Sequence, residues 1–356
     1  MRFDSANVPL KDFRKAFARL GYQPWDDYLA WMPFAWTYLL IIAAVAAFQT
    51  FDSFLVRALL VLFVTGRIRY LQEIGHFAVH GVLCPNSQWG MWLTNLLYQF
   101  PALMPDARDR KDIHVRQHHN SVSMAHDPGL LDLQEAGLKP GITSFQFWSA
   151  VLFPLTWKGL SARVKEAFAC LRAEPFSLNF FLRLGTVATV VGLFLAFDAV
   201  SALLFLYLVP VFITCPLFYW VAHVSLHRWF APCDPTIGYY ERELELGRPT
   251  ELPGVTGFLL RHNVFPLGDS YHLAHSLFPN VRWTHLPQAD ALLKRYCPTY
   301  RENMSRHLIF ASPGMPSALS ELRERLVDGR ASREARAPAG LASGQGPGQR
   351  SLLSRK

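Results

Sequence analysis

The stretch "NFFLRLGTVATVVGLFLAFDAVSALLFLYLVPVFITCPLFYWVAHV", residues 179–224, decides the fold class. Arg183 and Asp198 are almost its only charges. A helix crosses a bilayer with about 20 residues at about 1.5 Å each, so this stretch holds two spans. Asp198 lies midway and marks the turn between them. A second apolar region, from about Pro33 to Tyr70, reads the same way. "FAWTYLLIIAAVAAF" (34–48) is followed, after a polar break at Gln49–Ser53, by "FLVRALLVLFVTGRIRYL" (54–71). The expectation is an all-α integral membrane protein with four transmembrane helices in two hairpins, at about 33–49, 54–72, 178–197 and 199–221. Arg67 and Arg69 leave the second span, and Lys158, Arg163 and Lys165 precede the third. Positive charge marks the cytoplasmic side, which places both termini there. The runs at 92–105 and 145–157 are too short to span and read as interfacial or core segments.

Composition agrees. Of 356 residues 51% are hydrophobic and only 17% charged, with a net charge of +8. In so apolar a chain this excess points to a cytoplasmic membrane face. No nucleic-acid-reading motif is present. The five cysteines, at 84, 170, 215, 233 and 297, contain no C-x-x-C, which argues against zinc ribbons, iron–sulfur clusters and a disulfide framework.

Residues 1–32 read as an amphipathic or interfacial segment rather than a signal peptide, because Asp4, Asp12, Asp26 and Asp27 interrupt them. Leu10, Phe13, Phe17 and Leu20 share one helical face, and Gly21 is a stop. That face suits a membrane surface or packing on the protein itself. The membrane domain is expected over 33–290, followed by a cytoplasmic helical segment at 291–327. Residues 328–356, rich in Gly, Ser, Ala and Arg, read as a disordered tail.

Histidine is the residue in excess, with thirteen. "EIGHFAVHG" carries His76 and His80, and "HVRQHHNS" carries His114, His118 and His119. "HVSLHRW" carries His223 and His227, and "YHLAHSLFP" carries His272 and His275. Each group falls near or beyond the expected cytoplasmic exit of a span. Residues three or four apart share a helix face, so each such pair can point at one site. His118 and His119, as neighbours, diverge by about 100° and suit two separate ions. Neutral imidazole binds iron, zinc and copper, and this many imidazoles exceeds the needs of one ion.

These motifs resemble the histidine boxes of the membrane fatty acid desaturase/hydroxylase superfamily. That superfamily carries H-x(3–4)-H, H-x(2–3)-H-H and (H/Q)-x(2–3)-H-H around four spans; here they read "HFAVH", "HVRQHH" and "HLAHS". "YHLAHSLFPNVRWTHLP" is similar to the family's "YHxxHHLFPxxPxxxLP", and the likeness covers roughly residues 30–290. The resemblance implies a cytoplasmic di-iron cap that uses O2 to remove hydrogen from an unactivated C–H bond of an acyl or lipid chain. Desaturation is the expected outcome, with hydroxylation of a lipid or small metabolite as the alternative. The implied ligands are His76, His80, His114, His118, His119, His223, His227, His272 and His275.

Ser276 stands where the family has a third-box histidine. His223 takes the place of an Asn that in the family acts through a water, and so restores the count; alternatively Ser276 leaves an open position or holds a bridging water. His126, His262 and His285 are weaker candidates. Glu73, Asp112, Asp127 and Asp269 lie near the boxes and are candidates to hold the far nitrogens of ligating histidines. The chain has no GxGxxG loop opening a helix, iron–sulfur cysteine set or fused haem domain, so a ferredoxin- or cytochrome-type electron donor is implied.

Other readings leave histidines unused. A carboxylate di-iron bundle needs two Glu-x-x-His motifs and two further Glu, and only Glu73–His76 and the imperfect Asp269–His272 are offered. A zinc hydrolase needs about three histidines. A bis-histidine haem would need its pairs within the bilayer. A non-catalytic metal-binding membrane protein is the reading from another class, and O2 consumption coupled to a reduced donor separates it from an enzyme.

Overall fold

The computed structural model describes residues 10–17, 26–234, 236–302, 304 and 316–327. Leu20, the expected stop at Gly21 and the tail 328–356 lie outside the described residues. Among those described the chain is helical without strands; one isolated bridge pairs His227 with Gly247.

Helix α1 (Leu10–Phe17) is followed by α2 (Met32–Thr50), α3 (Phe54–Val79) and α4 (Ser87–Thr94), which continues as a π-helical turn, Asn95–Gln99. Helix α5, residues 107–121, joins Ala107–Lys111, a π-helical stretch Asp112–His118 and His119–Ser121. Then come α6 (Pro128–Glu135), α7 (Trp157–Arg172), α8 (Leu178–Ala196) and α9 (Val200–Leu226). The rest of the described chain adds α10 (Tyr239–Leu246), α11 (Gly254–Asn263), α12 (His272–Leu277), α13 (Leu286–Tyr296) and α14 (Ala318–Leu326).

Three helices, α2, α8 and α9, are long and apolar enough to cross a membrane. Pro33 starts α2 in its first turn, where the missing N–H costs no helical bond. Trp36, Leu39, Ile42, Phe181, Leu193 and Phe205 stay exposed along these helices. That surface is unfavourable in water and suited to lipid. Helix α3 differs from a plain span. Arg57, Arg67, Arg69 and Glu73 interrupt it, and nearly all of it from Val64 onward is buried in protein.

The turns of the two hairpins meet at one end of the molecule. Gln49 Nε2 donates to the Asp198 carbonyl at 3.4 Å, and Ser201 Oγ donates to Gln49 Oε1 at 3.4 Å. Asp198 has a φ of 49°, a left-handed conformation that Asp tolerates better than most residues. This lets α8 reverse into α9 within a few residues.

At the opposite end of α3 the short apolar runs become walls of the site. Tyr38 donates to the Leu97 carbonyl at 2.6 Å, and Tyr207 to the Pro101 carbonyl at 2.5 Å. Asn95 donates to Asp106 at 2.9 Å and accepts from the Ala107 amide at 2.8 Å. This buried exchange launches α5 at a set angle. Helix α1 lays Phe13 and Phe17 on Phe278, with ring centroids 6.4 and 4.9 Å apart, so protein covers these two residues of the apolar face.

Arg69 and Arg163 are not the surface charges that the positive-side reading assumed. Arg69 is fully buried. Arg163 is buried and donates to the Ala102 and Leu103 carbonyls at 2.6 and 3.0 Å. Lys158 and Lys165 remain exposed.

Candidate metal centre

The last turns of α3 bring His76 and His80 to its end. Their partners come from α5, and the π-helical stretch decides which. The His119 amide bonds to the His114 carbonyl, a five-residue step. In a π turn residues five apart stack over one another. His114 and His119 therefore share a face, with ring centroids 4.7 Å apart, while the His118 ring stacks 5.5 Å from that of His114.

Five imidazoles gather as one group: His76, His80, His114, His119 and His275, with ligand atoms all within 4.8 Å of one another. Their Nε2 atoms converge. His76 and His114 are 2.7 Å apart, His114 and His119 3.2 Å, and His80 and His275 3.1 Å. A second group lies beside it. His227 and His272 bring their Nε2 atoms to 3.1 Å, and the His118 ring is 5.3 Å from that of His227. The groups touch through His114–His118, His118–His119 and His272–His275, with ring centroids 5.5, 5.7 and 6.2 Å apart.

His76 and His80 fall in one group, whereas the members of the pairs His114–His118 and His272–His275 fall in different but touching groups. The π turn brings His119 rather than His118 into the five-imidazole group, although the His118 ring remains 5.5 Å from that of His114. His272 and His275 part because α12 runs along the seam between the groups. The divergence of His118 from His119 is present as read.

His223 stands at the edge of the second group. Its ring is 6.5 Å from that of His118, and Nε2 is 3.4 Å from the Gly129 carbonyl. Trp229 packs on it at 5.2 Å and donates Nε1–H to the His223 carbonyl at 2.9 Å. Ser276 is fully buried, and its hydroxyl has no partner among the described residues; its carbonyl accepts from the Tyr239 hydroxyl. His126 and His262 are exposed, and His285 is half-buried. None of these three belongs to either group.

Two of the four acids hold histidines. Glu73 Oε2 accepts from His76 Nδ1 at 2.9 Å, and Asp127 Oδ1 from His118 Nδ1 at 2.8 Å. Such partners set the tautomer that leaves Nε2 free as a ligand. Asp269 instead pairs with Arg69 at 2.8 Å. Asp112 is exposed and pairs with Arg116 at 2.8 Å, so it is a solvated surface acid.

Burial, reinforced by neighbouring rings, pushes the pKa values of His80, His114, His119, His227 and His275 well below the usual imidazole range, and that of His272 to about 3. The imidazoles are thus neutral at pH 7, the form that binds metal. The spacing also fits an ion. Ligand nitrogens about 2.1 Å from a metal and at right angles lie about 3 Å apart, and the Nε2 separations above bracket that value.

The sequence profile of the fatty acid desaturase family matches residues 52–307, more than half of the chain and a span that includes every histidine in both groups. The chain belongs to the fatty acid desaturase family. No individual curated protein matches it. Family membership makes this an oxidoreductase of the desaturase/hydroxylase type, in a family known for metal use, and the histidine cluster is consistent with the family's boxes.

Two apolar cavities lie among the helices of this desaturase-family chain. One, of about 390 Å³, is bounded by Gln72, Tyr98, Arg163, Tyr219 and Trp220. The other, of about 610 Å³, lies between α2, α3, α8 and α9. Ile68, Tyr98, Ala102 and Val211 line both. Tyr219 connects this wall to the site, its ring 6.0 Å from that of His223 and nearly parallel to it. Sequence reasoning missed the role of Arg69. The available signal was its position four residues ahead of Glu73, on the same helix face.

Proposed function

We propose that the protein is an O2-dependent di-iron fatty acid desaturase of a membrane. In this reading four spans, with α3 as the second, hold the histidine groups and both termini at the cytoplasmic face, and the ligands are His76, His80, His114, His118, His119, His223, His227, His272 and His275. The observation that carries it is the division of the imidazoles into two adjoining groups next to a path of apolar cavities. When bound, two irons supply the activation of O2 and the oxidising power that an unactivated C–H bond requires.

The chain's own residues do the rest. Glu73 and Asp127 keep protons on His76 Nδ1 and His118 Nδ1 and leave Nε2 free. The cavity wall of Ile68, Tyr98, Ala102 and Val211 takes the apolar chain and excludes water, and Tyr219 sits where that wall meets the second group. Desaturation converts –CH2–CH2–, O2, two electrons and two protons into –CH=CH– and two waters. The electrons come from a ferredoxin- or cytochrome-type donor. Hydroxylation is the second reading, favoured by one observation: the Ser276 hydroxyl, buried and without a partner among the described residues, replaces a metal-binding side chain of the family.

The test is iron analysis of purified protein together with O2 uptake driven by a reduced ferredoxin- or cytochrome-type donor, followed by product analysis on acyl substrates. Two irons per chain and a new double bond are expected. A stable stoichiometry of one metal, or O2 uptake that never depends on donor and acyl chain together, would overturn the proposal.

A further inference from the structure

Glu73, His76 and Asp269 form a second buried group whose ligand atoms lie within 4.8 Å of one another. Read alone, it resembles a third metal position. A cation already occupies it. The Arg69 guanidinium, with no exposed surface, donates from Nη1 to Glu73 Oε1 at 3.1 Å and to the Gln72 side chain. From Nη2 it donates to Asp269 Oδ2 at 2.8 Å and to the Val264 carbonyl at 3.0 Å. Its face lies over the Tyr219 ring, 5.5 Å from the centroid.

These contacts tie together three separate parts of the chain. Glu73 belongs to α3 and passes the contact on to His76 Nδ1 through its other oxygen. Asp269 opens the short helical turn that runs directly into α12, which carries His272 and His275. Tyr219 belongs to α9, one turn before His223. Only a planar fork with five N–H groups can serve two carboxylates and a carbonyl from different segments at once. A buried carboxylate left without such a partner is costly.

We propose that Arg69 is the positioning residue of the metal centre: it fixes the distance between the first and third histidine boxes and, through Glu73, the orientation of His76. The inference rests on the metal-binding reading above, and the experiment separates the two. Wild-type protein, Arg69→Lys, Arg69→Gln and the double variant Arg69→Gln/Asp269→Asn are prepared in detergent and loaded with Fe(II) and, in parallel, Co(II). Metal stoichiometry, affinity by chelator competition and the Co(II) visible spectrum are read. The double variant has the same net charge in this group as the wild type, so it removes the brace without leaving an extra buried negative charge.

Loss of a partner that orients a ligand lowers metal affinity by about 10–100-fold. That loss is expected at one of the two ions in Arg69→Gln, with an altered Co(II) spectrum, and again in the double variant even though it accumulates normally. Arg69→Lys should be intermediate, since an ammonium keeps the charge but not the fork. Wild-type affinity and spectrum in the double variant would reduce Arg69 to charge balance and overturn the inference. The double variant also decides the matter if Arg69→Gln fails to accumulate. A wild-type chain that binds no metal would instead overturn the proposed function, and this inference with it.

Discussion

Asp127 holds His118 through a hydrogen bond of 2.8 Å from Nδ1 to Oδ1, and the same carboxylate caps the next helix. Oδ1 also accepts from the Gly129 amide at 2.9 Å, and Oδ2 from the Ser123 amide at 2.7 Å. Pro128 follows as the first residue of α6. One buried side chain thus sets the loop after the second histidine box, the start of α6 and the direction of a histidine in the second group. A ligand fixed this way cannot turn without breaking a helix cap.

Asp127 variants should separate these duties. Asn is a good N-cap, so Asp127→Asn should stay near wild type in thermal stability while losing about 10–100-fold in affinity at one metal. Asp127→Ala should show the same metal loss and a further destabilisation of about 1 kcal/mol from the lost cap. Chelator competition and thermal unfolding measure both. Unchanged metal affinity in both variants would show that Asp127 serves the helix alone.

His118→Ala and His119→Ala should each abolish turnover and leave membrane insertion intact, because both residues lie outside the apolar helices. Their positions in different groups add a sharper expectation. Each should drop the metal content from two to one, and the retained ions should differ in Co(II) spectrum. Identical spectra for the two variants would contradict the separation of the groups.

Acid should destabilise the metal-free chain from the imidazole range downward. Burial depresses the folded pKa of His80, His114, His119, His227 and His275, and that of His272 to about 3, while in the unfolded chain they titrate near about 6.5. The folded state therefore binds fewer protons than the unfolded state between those values. Stability is fully present above the upper value and falls as pH drops toward the lower one. Thermal unfolding of chelator-treated protein across this range should show the loss, and metal-loaded protein should resist it until the metal leaves.

His223 and Ser276 can be ordered by severity. If His223 completes the second group, His223→Ala should lose iron and activity as severely as His275→Ala, with His223→Asn partly active through a held water. Ser276→Ala removes a buried hydroxyl that bonds to no described residue and should leave stability unchanged or slightly higher. Mild loss in His223→Ala with altered product ratios in Ser276→Ala would assign the open position to Ser276. Iron content and turnover of the four variants decide this.

Glu243 on α10 is fully buried with neither oxygen bonded to a partner among the described residues. Burial raises its pKa to about 8, against a weaker opposing effect from Arg242. A raised carboxylate favours the folded state most at low pH and loses that contribution as pH climbs through the folded value. Glu243→Gln should therefore match wild type at about pH 5 and exceed it in thermal stability at about pH 9. A difference independent of pH would reveal a cation partner for Glu243.

The apolar runs and the histidine spacings were readable because hydropathy and spacing are local properties. A stretch of about 20 apolar residues has few alternatives to a membrane helix, and the turn at Asp198 followed from one charge between two such stretches. The pairing of histidines was not local. A π turn is one extra residue per turn and leaves no mark in "HVRQHH", yet it brings the His119 ring to 4.7 Å from that of His114, closer than the His118 ring at 5.5 Å. The line of α12 along the seam, which parts His272 from His275, depends on what packs around that helix. Arg69 shows the same limit. By sequence it is a positive charge at the end of a span, and the same residue type at a membrane surface would mark topology. Its buried role exists only because the chain returns two hundred residues later to place Asp269 against it, and long-range closure of that kind is written in tertiary packing alone.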